Sequence, residues 1–321
     1  MLVGSIGVKD RSLQGSNRKI LVVGDAIVDR WITGRFCKTT HEWPTPRPVI
    51  TAESQWITPG GAANVAMVLS NFPDLDVTFL FVCDQSDTSH DLHTKLDLAG
   101  VSVVSLQNLD YSLPEKVRVV APDCPEQFRY DWDRGWQDIY DWQIVNYLQE
   151  HQFDAVIVSD YGKGVCTPAV CQAAIKADRI SVIDPKGSDW CKYRGATIIK
   201  CNGAELQEVC VGGLHSPKIC KDLSTNLIIT NGSHDVVLWL NPGTRNESFP
   251  VPKTDIVSAT GAGDVFVSTL AAEFVATRSL NLSIEQAIKA SSLFVGLPIP
   301  ERDKIGEWTS RNCLTELRSA T

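Results

Sequence analysis

Lys19-Ile20-Leu21-Val22-Val23-Gly24-Asp25 decides the fold. A short apolar run closed by a glycine and a carboxylate reads as a strand buried on both faces, whose carboxyl end opens on a crevice. Comparable runs recur at Val77–Val82, Ala155–Ser159, Ser181–Asp184, Thr197–Lys200 and Leu227–Thr230. Helical patterns fall between them, at Gly61–Phe72, Ser89–Leu98, Trp142–His151, Pro168–Ala177 and Ala204–Val209. That alternation predicts an α/β protein with a doubly wound, mostly parallel sheet covered by helices on both faces. Further helices are predicted over Ser283–Val295 and Thr309–Leu317, with a loop at Leu297–Gly306 marked by Pro298 and Pro300.

Two segments break the alternation. Arg47–Ala52, and Lys116–Ala121 with Gln127–Trp132, read as antiparallel strands; Pro122, Asp123 and Pro125 supply the turn between the last two. They predict a small antiparallel sheet fed by insertions at about 36–56 and 112–134, serving as a lid or a dimer contact, or else a plain surface hairpin. Residues 1–17 read as a flexible tail and 18–321 as a single domain carrying these insertions.

The composition narrows the function classes. A chain of 321 residues with 43% hydrophobic content has enough apolar side chains for a sizeable core. Its 38 acidic residues outnumber 30 basic ones, for a net charge of −8 with no long basic run, which argues against a nucleic-acid partner. Ten cysteines without CxxC pairs or metal-like spacing read as reduced thiols. No apolar stretch approaches the ~18 residues of a membrane span, and the N-terminus lacks a signal-peptide pattern. The expectation is a cytoplasmic protein without a membrane partner.

Thr260-Gly261-Ala262-Gly263-Asp264 carries the chemistry, running directly into the apolar stretch Val265–Ala276. Glycines let an anion approach the main chain, and the first amides of a helix lack internal partners and sit at the positive end of its dipole. Asp264 in the first turn would stand beside that cradle, where a carboxylate can take a proton from a hydroxyl attacking a terminal phosphate. The competing reading is a glycine turn whose Asp complements the helix dipole.

Other residues gather around this motif. Gly60-Gly61 opens a small-residue helix bearing Asn64, a place where ligand hydroxyls can reach backbone and amide. Asp25 and Asp29 follow the first strand, where carboxylates suit polyol hydroxyls; capping is the alternative. In Asn202-Gly203-Ala204-Glu205 a capping box competes with a role for Glu205 near Mg²⁺ through water, and the two are compatible. Thr230 and Gly232 end a strand, where hydroxyl and amide can meet phosphates or simply turn the chain. Arg118, Arg129, Lys163 and Lys186 fall at loop or lid edges and suit a second anion, with solvated surface charge as the alternative.

As a set, Gly60-Gly61, Asn202-x-x-Glu205 and Thr260–Asp264 resemble, in order and spacing over nearly the whole chain, the ribokinase-type (PfkB) carbohydrate kinases. More narrowly, four segments resemble the D-glycero-β-D-manno-heptose-7-phosphate kinases. These are Val23–Arg30, Pro59–Ala66, Ser159-Asp160-Tyr161-Gly162-Lys163-Gly164, and Asp184–Asp189 with Tyr193–Thr197. The resemblance implies transfer of the γ-phosphate of ATP to the C1 hydroxyl of that sugar, giving the 1,7-bisphosphate on the route to ADP-heptose. By motif it implies Asp264 as catalytic base, with Gly261, Ala262 and Gly263 as anion hole. Asn202–Glu205, Thr230, Gly232, Thr260 and Lys186 would serve ATP and Mg²⁺. Asp25, Asp29, Gly60, Gly61, Asn64, Asp160, Arg118, Arg129 and Lys163 would serve the phosphosugar. A homodimer through the β lid is expected.

Many members of that family carry a C-terminal nucleotidyltransferase, for which this chain has no room, so the expectation is a stand-alone kinase. Ser258 stands where the family usually has an Asp near a monovalent-cation site, implying weak or absent potassium activation. Asp235, Lys289 and Leu297-Pro298-Ile299-Pro300 also depart from the usual pattern around the nucleotide. The rival readings are a kinase of another sugar or nucleoside, and a catalytically silent sugar- or nucleotide-binding protein. An oxidoreductase is disfavoured because no Gly-x-Gly-x-x-Gly follows the first strand.

Overall fold

The computed structural model describes residues 17–297 apart from 43, 45, 109, 125–127, 134–140, 177, 178 and 211–214. Strand β1 (Arg18–Gly24) leads into a long hairpin, β2 (Ala26–Thr40) and β3 (Arg47–Gly61), then helix α1 (Ala62–Leu69). Next come β4 (Leu75–Cys83), α2 (Asp87–Leu98), β5 (Ser102–Gln107), β6 (Glu115–Val120) and β7 (Phe128–Trp132). The alternation resumes through α3 (Asp141–Glu150), β8 (Ala155–Ser159), α4 (Pro168–Ala174), β9 (Ile180–Asp184), β10 (Ile198–Asn202) and α5 (Gly203–Cys210). It closes with α6 (Ser216–Leu223), β11 (Asn226–Asn231), β12 (His234–Leu240), β13 (Arg245–Phe249), α7 (Ala262–Thr277) and α8 (Leu280–Val295).

Nine strands form the main sheet in the order β13-β12-β11-β10-β9-β8-β1-β4-β5, parallel except at the β11–β12 and β12–β13 pairs. Strand order reverses between β1 and β8, the kind of switch point where open α/β sheets place ligands. Ile20–Val23 of β1 and Ala155–Val158 of β8 are fully buried, as burial on both faces requires. Register aligns Gly24 with Ser159 and Ser159 with Asp184, so the carboxyl ends of β1, β8 and β9 finish side by side. A Cβ on Gly24 would sit 2.1 Å from the Ser159 carbonyl oxygen, so only glycine permits this approach.

Local chemistry sets the helix starts. Ser86 caps α2 and Thr167 caps α4, each accepting from the amide three residues on, and Pro168 opens α4 with its ring preset for a first turn.

The smaller sheet runs β3-β2-β6-β7. Its β2–β3 and β6–β7 pairs are antiparallel, and a parallel β2–β6 pair joins them. Trp31 and Trp56 stack across β2 and β3 at 6.2 Å.

Each predicted parallel strand is present, most with ends a residue or two beyond the expected ones. Strand β2 was not expected: the chain continues past Asp25 directly into 15 residues of strand, and Asp29 lies within it rather than in a turn. Strands β5, β12 and β13 and helix α6 were also not expected. The helix at Thr309–Leu317, the loop beyond Leu297 and most of the N-terminal tail lie outside the described residues. No described helix is long and apolar enough to cross a membrane.

Candidate active site

A cavity of about 610 Å³ opens at the carboxyl ends of the central strands, between them and the smaller sheet. Asp264 lies on its wall in the first turn of α7. Gly261, at φ 86°, turns the chain into that helix, and no side chain caps the end, so the helix start faces the cavity with backbone alone. Asp264 is only 7% exposed. Asn64 Nδ2 donates to its Oδ2 at 2.7 Å, and the Tyr161 hydroxyl donates to its Oδ1 at 2.6 Å. Burial raises the Asp264 pKa above the ordinary carboxylate range; the two hydrogen bonds and Lys200 pull against it. Each carboxylate oxygen keeps a further lone pair for a substrate hydroxyl.

Lys200 comes from β10 and lies against the glycine turn: a Cβ on Gly263 would stand 3.2 Å from its Nζ. Asp184, at the end of β9, holds that ammonium at 3.0 Å. Burial works hardest on Lys200 and pulls its pKa down, but Asp184, Glu205 and Asp264 leave it above the ordinary lysine value. Burial pushes Asp184 up to about 6, so near neutral pH the carboxylate stays charged opposite the ammonium, which adds positive charge to the cradle.

Asn202 and Glu205 form a reciprocal capping box, each side chain accepting from the other's amide at 2.9 Å. Glu205 also lines the cavity, 3.7 Å from Lys186 Nζ, so the cap leaves its carboxylate at the cavity wall.

At the smaller-sheet end, Gly60 and Gly61 close β3 against β2. A Cβ on Gly60 would meet Asp29 Oδ2 at 2.5 Å, and Gly61 has φ 58°. Asp29 pairs with Arg118 Nη2 at 3.0 Å, while Arg118 stacks on Trp31 at 5.2 Å. The buried Arg118 Nε has no hydrogen-bond partner. Lys116, two residues earlier on the same strand face, also lines the cavity, as does Lys95.

Several expected site residues stand elsewhere. Asp25 is fully buried and off the cavity wall; its Oδ2 accepts from the amides of Tyr161 and Lys163 and its Oδ1 from that of Val165. It organises a loop rather than offering oxygens to a ligand. Burial, reinforced by Asp160, pushes its pKa up to about 6 against those three amides. Arg129 is spent on Asp131 on the exposed strand β7, and Lys163 pairs with Asp133. Neither lines the cavity, and neither do Thr230, Gly232, Gly203, Ala204 or Ala262. Thr230 donates to the Cys201 carbonyl, and Gly232 serves the β11–β12 turn at φ 59°. Asp235 is exposed on β12, away from the cavity. Asp160 does line it, yet is committed to Lys192 at 2.5 Å and Tyr193 at 2.6 Å. Asp25, Asp160 and Cys166 form a buried cluster that these bonds tie into the 160–165 turn.

Sequence reasoning did not single out Lys200, Lys116 or Tyr161, all three of which line the cavity. A charged residue inside an otherwise buried strand, Lys200 in the middle of β10, was the signal for it. Lys116 shares the i, i+2 face of Arg118.

An α/β kinase of the ribokinase-like fold is what this sheet order, smaller sheet and glycine-turn helix define. Residues 17–298 match the pattern described as pfkB family carbohydrate kinase, and the chain belongs to that family, whose members transfer phosphate to an alcohol. It is 30% identical over 292 residues to the bifunctional protein HldE of Psychromonas ingrahamii, covering 87% of this chain and 60% of that one. It is 28% identical over 297 residues to that of Histophilus somni, covering 89% and 62%. The chain thus spans about 60% of the length of the curated relatives it matches.

Two solved structures share the fold. Phosphofructokinase-2 from Escherichia coli, in a tetrameric inhibited form, superposes with TM-score 0.72 at 16% identity over 92% of this chain and all of that one. Arabidopsis thaliana ribokinase complexed with ribose and ATP gives 0.67 at 18% identity, over 92% and 99%.

Proposed function

We propose that this chain transfers the γ-phosphate of ATP to the C1 hydroxyl of D-glycero-β-D-manno-heptose 7-phosphate. The observation that carries the reading is the placement of Asp264 beside the Gly261–Gly263 turn in a cavity that Arg118 and Lys116 of the smaller sheet also line. A sugar hydroxyl presented to Asp264 loses its proton as the oxygen attacks phosphorus. The helix start and Lys200 hold the charge developing on the transferred group. Arg118, with a buried Nε unspent, and Lys116 take the sugar phosphate; Asp29, Gly60, Gly61 and Asn64 face the sugar ring. The 30% identity to relatives named bifunctional HldE supports a heptose phosphate over a free sugar.

Glu205 faces the cavity beside the proposed phosphate site, which suits Mg²⁺ held through water. That ion, when bound with ATP, neutralises the β- and γ-phosphates. Ser258 in place of an acid supports weak potassium dependence. Tyr130 and Trp132, both 53% exposed on the outer strand of the smaller sheet, support a dimer through that sheet. The nine unpaired cysteines among the described residues fit the cytoplasm, where ATP and phosphosugars are found.

The test is ADP release from magnesium-ATP with a panel of sugar phosphates and free sugars. Turnover on heptose 7-phosphate alone is expected. Turnover confined to free sugars moves the reading to another substrate, and no turnover on any sugar leaves a binding protein.

A further inference from the structure

Tyr161 has no assigned task, yet it touches the group on which the reaction turns. Its backbone amide donates to Asp25 at 2.8 Å, beside those of Lys163 and Val165 at 3.0 Å, so one buried carboxylate shapes the whole 160–165 turn. That turn delivers the Tyr161 hydroxyl to within 2.6 Å of Asp264 Oδ1. Lys116 of β6 stands over the other side of the ring, 5.5 Å from its centroid. The ring is therefore fixed by its backbone, by a cation on the smaller sheet and by its own hydroxyl.

We infer that Tyr161 is a positioning residue for Asp264: its hydroxyl fixes the orientation of the carboxylate and stabilises the charged form that can accept a proton. The inference rests on the reading of Asp264 as the base. A hydroxyl donating to a carboxylate strengthens when the acceptor is ionised, so the bond works toward deprotonated Asp264 and against the burial that opposes it. Tyr161 itself stays a donor. Burial, together with the charges of Asp264, Asp184 and Glu205, holds its hydroxyl well above the ordinary tyrosine pKa. Asn64 makes the second bond to Asp264, from α1, so the carboxylate is gripped from two unconnected elements with a lone pair left on each oxygen.

The charged groups that also face Asp264 are Lys200 from β10, Asp184 from β9 and Asp29 from β2; Asp184, Glu205 and Lys116 face the tyrosine. All remain in Tyr161→Phe, which removes one oxygen, so a changed titration reports the hydroxyl.

The experiment titrates the full-length chain carrying [γ-¹³C]aspartate by NMR, with Asp264 assigned from the signal lost in Asp264→Asn. In Tyr161→Phe the Asp264 midpoint is expected to rise by about one pH unit, the size implied by a hydrogen bond to a charged group. A trifluorotyrosine at 161 keeps the ring, donates more strongly and is expected to lower the midpoint, which preserves the test should the phenylalanine variant fold poorly. A midpoint unchanged in either foldable variant overturns the inference. With magnesium-ATP and heptose 7-phosphate, the acid limb of kcat/KM, which reports the free enzyme, is expected to move with the midpoint while KM for the sugar at neutral pH stays within about twofold. A kcat/KM limb that stays fixed while the midpoint moves also overturns it. Full activity in Asp264→Asn removes the base reading instead, a result separable from the titration.

Discussion

Asn64 on α1 donates to Asp264 on α7 at 2.7 Å, joining two helices whose residues lie 200 positions apart in the chain. The bond ties the glycine pair Gly60-Gly61, which starts α1, to the glycine turn that starts α7. Asn64→Ala is expected to lower kcat about tenfold, in keeping with a lost hydrogen bond to a charged group of roughly 1.5 kcal/mol. Asn64→Asp sets a second carboxylate against the first and is expected to lower it further. Steady-state kinetics of both variants, with thermal unfolding to confirm the fold, checks the order; an aspartate variant more active than the alanine one contradicts it.

Asp264→Asn is expected to cost ~10²- to 10⁴-fold in kcat, the usual range for a lost general base. ATP binding, read by calorimetry, should change little, because the helix start and Lys200 remain. The wild-type pH profile follows from the same carboxylate. Its pKa is raised from 3.8, chiefly by burial, and the base works only when ionised. Activity is therefore lost on acidification through a midpoint above the ordinary aspartate value. A kcat profile flat down to that value counts against the assignment.

Lys200 and Asp184 form a buried pair in which Lys200 is 4% exposed. Breaking one side strands the other, so Lys200→Met is expected to destabilise the protein by ~3–5 kcal/mol. The double variant Lys200→Met with Asp184→Asn removes both charges and should recover most of that loss in urea denaturation. Turnover should remain at least about tenfold down, since a charge at the phosphate cradle is still missing. Recovery of turnover along with stability assigns the pair a purely structural role.

The central sheet was legible because strands such as Ile20–Val23 and Ala155–Val158 are buried on both faces and therefore uninterrupted by polar residues. The smaller sheet was half legible. Strand β2 lacks a period-two alternation, running from the buried stem Ala26-Ile27-Val28 through Asp29-Arg30 to an exposed tip, and Asp25 just before it looked like the end of the structured run. Glycines and the Asp264 motif showed themselves because short spacings in sequence become one turn in space. Lys200, Tyr161 and Asn64 reach the same point from three different elements. No local spacing encodes that meeting.

Asp25 illustrates the same limit and gives a last prediction. Its sequence position suggested a sugar contact, whereas its oxygens hold three amides of the 160–165 turn. Asp25→Ala leaves three donors without a partner, each unsatisfied buried group costing roughly 1–3 kcal/mol, so a loss of at least ~3 kcal/mol is expected in urea denaturation. Asp25→Asn retains one acceptor oxygen but turns its amine toward a backbone amide, so it should rescue only part of the loss. Because the turn carries Tyr161, both variants should also show faster amide exchange at Tyr161, Lys163 and Val165 and a lower kcat. A direct sugar contact predicts the reverse pattern: a large rise in KM for the sugar with stability and exchange unchanged. The two sets of measurements separate a residue that builds the site from one that binds within it.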